Sequence, residues 1–367
     1  MIHKSYKFRI HPNKEQEELI AKHIGCSRWV YNNFLNLKIE TYKETGKSLS
    51  KFDLSKNLAI LKKEESTSFL SEVNSQTLAA ATDDLDSAYQ RFFKEKKGFP
   101  KFKSKHDSKQ SFRARQNVIV KDNMLFLPKF KGGIKMNVHR PLEGRILFAT
   151  VSKNATGKYY VSITCETEYT PYDKTLSAVG IDTGIKDLAI LSDGTKYENI
   201  KSLKTNLKKL KYQQRQLSKK QKGSKSRERQ KLKVASLHER VTNVRKDYLN
   251  KVSTDIIKKH DIISVENLAV KNMVKNHNLA QALSDVSLGT FYGMLEYKAK
   301  WNEKQIIKID RFFPSSKTCS CCGFINNELT LSVRKWTCKS CDTTHDRDLN
   351  ASKNILNEGL RLMSEKK

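Results

Sequence analysis

The chain has 367 residues and a formal net charge of +31, with 70 Lys plus Arg set against 39 Asp plus Glu. A cation surplus of this size, recurring along most of the chain, points to a polyanionic partner whose phosphates relieve the self-repulsion; neither a solubility device nor attraction to a membrane surface accounts for it. No stretch approaches the roughly 20 apolar residues of a membrane span, and the opening MIHKSYKFRIHP lacks the apolar core of a signal peptide, so the expectation is an intracellular, cytoplasmic protein of two or three domains.

Lys4 to Arg9 alternates as a short strand that ends at a turn near Pro12. A helix is expected from Asn13, which suits the cap, with Glu15 and Glu17 at its positive end and Leu19, Ile20 and Ile24 on an apolar face. A second helical stretch carries Trp29, Val30, Phe34, Leu35 and Leu37, read as core, until Gly46 breaks the pattern. Further helices are expected over 52–63 and 75–94. The last of these runs into FFKEKKGFPKFKSK, where Phe92, Phe93, Phe99 and Phe102 alternate with six lysines between Lys94 and Lys105. Two readings fit equally: rings and cations that take bases and phosphates, or a basic loop pinned to the body by its aromatics.

From Phe112 to Glu168 the texture changes to short alternating strands, NVIVKDNMLFLP, GGIKMNVH, RILFATVSKN and GKYYVSITCETEY. They read as a small antiparallel β-barrel which, with the N-terminal strand, closes around the inserted helices of 13–105. A new unit begins near Ala178, where AVGIDTGIKDLAILSDGTKY gives two buried strands joined by a Gly-containing turn and the start of a third. Residues 201–233 then hold 14 Lys or Arg and one acid, Glu228, with Leu203, Leu207 and Leu210 at helical spacing. A basic helical hairpin over 201–259 fits, interrupted at Gly223. IIKKHDIISVENL supplies another strand, 271–284 reads as a polar loop, and a helix with Phe291, Leu295 and Trp301 follows. The strand IIKID leads to FFPSSK, and a helix over 349–362 closes the chain.

Between Cys319 and Asn350 stand two Cys-x-x-Cys knuckles, Cys319 with Cys322 and Cys338 with Cys341, separated by 15 residues. That spacing suits a four-cysteine zinc site, and a closed set of thiolates is structural rather than catalytic. Cys26 and Cys165 stand alone and read as buried structural thiols.

Three acids sit where carboxylates are unwelcome: Asp182 within an apolar strand, Glu266 at the end of another, and Asp348 at the start of the last helix. Each alone reads as an ion pair or a cap, and Asp346 or Asp348 suits the N-cap of the closing helix. Together, in so basic a chain, they point to a shared divalent-metal site. Hard oxygen ligands select Mg²⁺, and a pair of such ions roughly 4 Å apart cleaves phosphodiesters. Asp on a first strand, Glu on a later strand and Asp on a final helix is the arrangement of an RNase H-like α/β nuclease core. Gly180 and Gly184, flanking Asp182, are expected to let backbone approach a phosphate.

The motifs VGIDTGIKDLAILSDG, ISVENL, FFPSSKTCSCCG and RKWTCKSCDTTHDRDLNASKNIL resemble those of the TnpB family, encoded by small insertion sequences and considered ancestral to type V CRISPR effectors. RWVYNNFLNL, the Ser75-Gln76 helix start and FFKEKKGFPKFK extend the resemblance over nearly the whole chain. The resemblance implies an RNA-guided DNA endonuclease that binds a guide RNA, checks a short motif beside a double-stranded DNA target and cuts at a RuvC-like site. It implies a catalytic triad of Asp182, Glu266 and Asp348 holding Mg²⁺, preferred over Asp346, and a zinc ribbon on Cys319, Cys322, Cys338 and Cys341. The chain departs from the family pattern at Cys321, an extra thiol in the first knuckle, and at Asp342.

The implied domains are a wedge-like barrel over 1–12 and 106–174, a helical recognition domain over 13–105, a RuvC-like domain over 175–314 and 343–367, and a zinc ribbon over 315–342. Tyr31, Asn32 and Gln76 are implied to read the target-adjacent motif. Lys101, Lys103, Lys208, Lys209, Arg215, Lys219 and Lys220 are implied to meet nucleic-acid phosphates. The resemblance further implies a prokaryotic cytoplasmic location, associated with the nucleoid. Two alternatives share these residues: a guide-independent transposase or nuclease, and an RNA-guided DNA-binding repressor without cleavage.

Overall fold

The computed structural model describes residues 1–107, 110–330 and 332–365, so the last two residues of the expected nuclease segment lie outside it. The chain divides into two compact units, Met1–Glu168 and Tyr169–Lys367. Among the described residues no helix is long and apolar enough to cross a membrane.

In the first unit, β1 (Ile2–His11) is followed by α1 (Lys14–Thr45), α2 (Lys51–Leu61), a 3₁₀ segment (Glu65–Glu72) and α3 (Ser75–Glu95). Then come β2 (Gln110–Ala114), β3 (Ile119–Lys121), β4 (Met124–Phe126), β5 (Ile134–Asn137), β6 (Arg145–Lys153) and β7 (Tyr159–Thr167). They form one antiparallel sheet in the order β2-β6-β7-β1-β5-β4-β3, so the N-terminal strand does join the later strands, and the ladder runs from β2 to β3. α1 is one 32-residue helix where two stretches were expected. Asn13 caps it with a reciprocal box to Gln16, and Gly46, at φ +68°, closes it in the left-handed conformation. The low-propensity Gly25-Cys26-Ser27 does not break it because both halves are anchored. Ile20 and Ile24 join the sheet core, while Cys26 to Leu35 join a second core with Leu54, Leu58, Leu70, Leu78 and Leu85. Cys26 and Cys165 are buried.

The second unit opens with β8 (Ala178–Asp182), β9 (Asp187–Leu191) and β10 (Lys196–Glu198), then the hairpin of α4 (Ser202–Ser218) and α5 (Lys225–Lys259). It continues with β11 (Ile262–Glu266), α6 (Val270–Met273), α7 (His277–Val286), α8 (Leu288–Trp301) and β12 (Gln305–Ile309). The chain closes with β13 (Lys335–Thr337), β14 (Thr344–Asp346) and α9 (Arg347–Ser364). The expected polar loop at 271–284 is thus largely helical: Asn276 caps α7, whose Leu283 and Val286 are buried in the core. Five strands pair in the order β10-β9-β8-β11-β12, with β8, β11 and β12 parallel and β9 and β10 antiparallel to their neighbours.

Strand alternation assigns each face of this sheet. Val179, Ile181, Ile263 and Val265 point into a core with Leu249, Val252, Ile256, Phe291 and Leu295 of α5 and α8. Gly180 and Ser264 point the other way, toward α9. A Cβ on Gly180 would lie 2.1 Å from the Ser352 carbonyl oxygen, and one on Gly359 would lie 2.0 Å from Ser264 Oγ.

Candidate nuclease site and cysteine cluster

The same alternation gathers the three acids. Asp182 and Glu266 end β8 and β11, which run parallel with Ile181 opposite Val265, so the two acids follow side by side. Sharing the parity of Gly180 and Ser264, both stand on the α9 face, and the first turn of α9 carries Asp348. Burial, then the nearby Glu266 and Asp348 carboxylates, push the Asp182 carboxyl well above the ordinary carboxylate range; Arg347 and the Thr183 N–H partly offset this. The three acids do not come within common ligating distance: among the described residues the four-cysteine group alone does so. Instead Arg334 Nη1 pairs with Asp348 at 3.2 Å, and the Ser315 hydroxyl donates to Glu266 Oε1 at 2.8 Å. Next to Asp182, the Thr183 and Tyr292 hydroxyls are hydrogen-bonded at 2.8 Å.

Asp346 and Asp348 divide their work. Asp346 Oδ1 accepts from the backbone N–H groups of Asp348 and Leu349 and caps α9, which leaves the Asp348 carboxylate free of capping. Gly180 requires a correction: its missing side chain is filled by the α9 backbone, so it serves helix–strand packing and not the approach of a phosphate. Ser315 escaped sequence reading, since a serine in a loop gives no signal of which acid it will meet.

The Sγ atoms of Cys319, Cys322, Cys338 and Cys341 all lie within 4.8 Å of one another, while Cys321 is exposed and outside the group. Four sulfurs converging at this spacing fit a tetrahedral soft-ligand metal such as Zn²⁺. His345 Nε2 lies 3.0 Å from Cys319 Sγ and its ring packs on Trp336. The segment is tied to α9 by side-chain amides: Asn354 Nδ2 donates to the carbonyls of Ser315 and Thr318, Asn350 Nδ2 also donates to Thr318, and Asn350 Oδ1 accepts from Ser320 N–H.

The remaining candidates lie elsewhere. Lys208, Lys209, Arg215 and Lys219 are exposed on or at the end of the α4–α5 hairpin, and Lys220 donates to Ser226 Oγ at 2.6 Å. In the first unit Lys101 is exposed, and Tyr31 is buried beneath the Lys103 ammonium, 3.8 Å from the ring centroid. The Asn32 amide both donates to and accepts from the Lys103 backbone, at 2.9 and 2.8 Å, so it straps the basic segment onto α1. Gln76 is half-buried in the first turn of α3.

Three family models match the chain: a probable transposase model, OrfB_IS605, over residues 161–277, a Cas12f1-like TNB domain over 289–355, and a helix-turn-helix domain of the OrfB_IS605 type over 1–47. The last region is a strand and one continuous helix in this structure. A protein of Streptomyces pristinaespiralis named as an RNA-guided DNA endonuclease is 38% identical over 362 residues, covering 98% of this chain and 90% of its own length. The chain belongs to the TnpB family. A second relative with this name, InsQ of Escherichia coli K12, is 33% identical over 97% of the chain and 92% of its own length. TnpB-like protein L770 of Acanthamoeba polyphaga mimivirus is 25% identical over 97% of the chain and 73% of its own length. Among solved structures, a Cas12f1 chain from a complex with sgRNA and target DNA aligns with 18% identity and a TM-score of 0.37, covering 97% of this TnpB-family chain and 99% of the other.

Proposed function

We propose that this protein is an RNA-guided DNA endonuclease, with guide RNA and double-stranded target DNA as partners and an RNase H-like, RuvC-type core as its cutting domain. The observation that carries the reading is the convergence of Asp182 and Glu266, on adjacent in-register strands, with the first turn of α9 bearing Asp348. The strand order, with three parallel strands extended at the β8 edge by the antiparallel β9 and β10, supports the same core. The relatives named as RNA-guided DNA endonucleases support the substrate class.

Asp182, Glu266 and Asp348 are the residues that would hold the catalytic cations. Mg²⁺ bound there supplies activation of water and charge stabilisation at the leaving oxygen, without requiring a protein base. Asp182, resisting ionisation beside two other acids, would have to be deprotonated to serve as a ligand, so cation binding there would be coupled to proton release. Ser315 fixes one oxygen of Glu266 and leaves the other available. Arg334 neutralises Asp348 and would be released to a phosphate when a cation takes its place. The four cysteines would hold one structural Zn²⁺ that braces the segment before α9. The exposed cations of α4 and α5 would meet phosphates of RNA or duplex by charge and shape, while base pairing supplies sequence.

The test is cleavage of target DNA in Mg²⁺ by the protein loaded with its copurifying RNA. Asp182→Ala and Glu266→Ala are expected to abolish cutting while RNA and target binding persist; undiminished cutting by either variant would refute the site. Equal cutting without RNA would favour the guide-independent transposase, and binding without cutting by the unaltered protein would favour the repressor.

A further inference from the structure

The basic aromatic segment after α3 is more than a loop pinned to the body. Tyr89, Phe92, Phe93 and Phe99 form a closed circuit of ring contacts. Its centroid separations are 6.2 Å (Tyr89–Phe93), 5.0 Å (Phe93–Phe92), 5.4 Å (Phe92–Phe99) and 5.6 Å (Phe99–Tyr89). This circuit folds the chain back along α3, Pro100 is buried, and Asn32 holds the Lys103 backbone from both sides. Phe92, Pro100 and Asn32 therefore anchor the segment together with one side of the Phe93 and Phe99 rings. Phe93, Phe99 and Phe102 nevertheless stay 68%, 46% and 55% exposed.

Six lysines are interleaved with these rings along the sequence, and the single acid among them, Glu95, is already paired with Lys97. Lys94, Lys96, Lys101 and Lys105 form no ion pair among the described residues. An apolar protein partner on this face would have to strip water from several ammonium groups without compensation. An unpaired nucleic-acid strand meets both features at once, since each base has a π-face for a ring and each nucleotide a phosphate for a cation. A duplex keeps its base faces stacked internally and offers the rings nothing along its length.

We infer that Phe93, Phe99 and Phe102, with the lysines between and beside them, form a stacking platform for an unpaired nucleic-acid strand. The exposed rings carry no hydrogen-bonding atom, so the platform reads neither base identity nor the sugar 2′-hydroxyl, and RNA and DNA strands bind it alike. The inference rests on the proposed function only in taking nucleic acid as the partner.

The test uses the full chain, freed of copurifying RNA on heparin at high salt, without Mg²⁺. Fluorescence anisotropy measures its binding to labelled 12-nucleotide strands (oligo-dT, oligo-U and an abasic strand of equal charge) and to a duplex of the same length. The Phe93→Ala/Phe102→Ala pair is expected to lose about tenfold or more in affinity for both base-bearing strands, with little change for the duplex. The Phe93→Tyr/Phe102→Tyr pair should keep the affinity, and the abasic strand should bind the unaltered protein as weakly as the base-bearing strands bind the alanine pair. Unchanged affinity in the alanine pair, equal loss for strand and duplex, or tight binding of the abasic strand would each overturn the platform. Should the alanine pair melt at a lower temperature, Phe102→Ala alone, outside the ring circuit, carries the same comparison. Because cleavage is not the readout, strand binding that depends on the rings stands even if no RNA directs cutting. Flat binding data alongside Asp182-dependent cutting would remove the platform and leave the nuclease.

Discussion

The Ser315 hydroxyl donates to Glu266 Oε1 at 2.8 Å, and the Ser315 carbonyl accepts from Asn354 Nδ2 at the same distance. One residue of the loop entering the cysteine segment therefore touches both a strand-end carboxylate and the helix that carries Asp348. Ser315 is a positioning residue in this arrangement. Ser315→Ala is expected to slow cleavage about tenfold and to raise the Mg²⁺ concentration needed for half-maximal rate, with RNA binding unchanged, because Glu266 loses the bond that fixes its rotamer. Ser315→Thr, which keeps the hydroxyl, should restore most of the rate. Equal loss in both variants would mark Ser315 as a packing residue only.

The cysteine cluster predicts one zinc per chain, held without Cys321. Metal analysis of purified protein should return one Zn²⁺ for the unaltered chain and for Cys321→Ser, and none for Cys338→Ser. Zinc removal by a chelator should expose 315–342 to proteolysis and weaken cleavage, because Thr318 and Ser320 then lose their fixed geometry against Asn350 and Asn354. Folded protein without zinc, or zinc loss in Cys321→Ser, would refute the ligand set.

Asp182 gives a pH prediction with a definite sign. Its carboxyl titrates higher in the folded chain than in the unfolded one, so over that window the folded state binds more protons and stability falls as pH rises. Above the window the full cost remains. Asp182→Asn removes it, and the metal-free variant is expected to melt higher than the parent at neutral pH, by roughly 2–4 °C for each kcal/mol recovered, with a flatter dependence on pH. Mg²⁺ should stabilise the parent and not the variant. A variant that melts lower than the parent at neutral pH would contradict the burial and charge argument.

Much of this was readable from residue types whose chemistry is local. Asn13 before an apolar-periodic run, Gly46 after it, and a carboxylate ending each of two β-rich apolar runs all declare themselves within a few positions. What stayed hidden depends on partners far along the chain. α1 passes through Gly25-Cys26-Ser27 because two separate cores hold its halves, and α7 forms from a polar stretch because Leu283 and Val286 find a buried site. The assignment of Asp346 as the cap, freeing Asp348, turns on one turn of backbone direction that either aspartate would suit. Gly180 acquired its role through α9 and Ser315 through Glu266 and α9, none of them a neighbour in sequence.

Gly180 offers the sharpest test of that last point. A Cβ there would sit 2.1 Å from the Ser352 carbonyl oxygen and 2.5 Å from Leu356 N, both backbone atoms of α9 that cannot swing aside. Gly180→Ala is therefore expected to cost about 3 kcal/mol or more, as overpacking against rigid backbone does, and the helix must back away from the sheet. Gly184 is the control: a Cβ would meet the Asp187 carbonyl at 3.3 Å, a contact relieved by a few tenths of an ångström, so Gly184→Ala should stay within about 1 kcal/mol. Urea denaturation of both variants measures the difference. The same displacement carries Asp348 away from Asp182, so Gly180→Ala should lose cleavage even where the protein remains folded, with Mg²⁺ no longer raising its melting temperature. A Gly180→Ala protein as stable and as active as the parent would mean that α9 does not pack on β8 as closely as this.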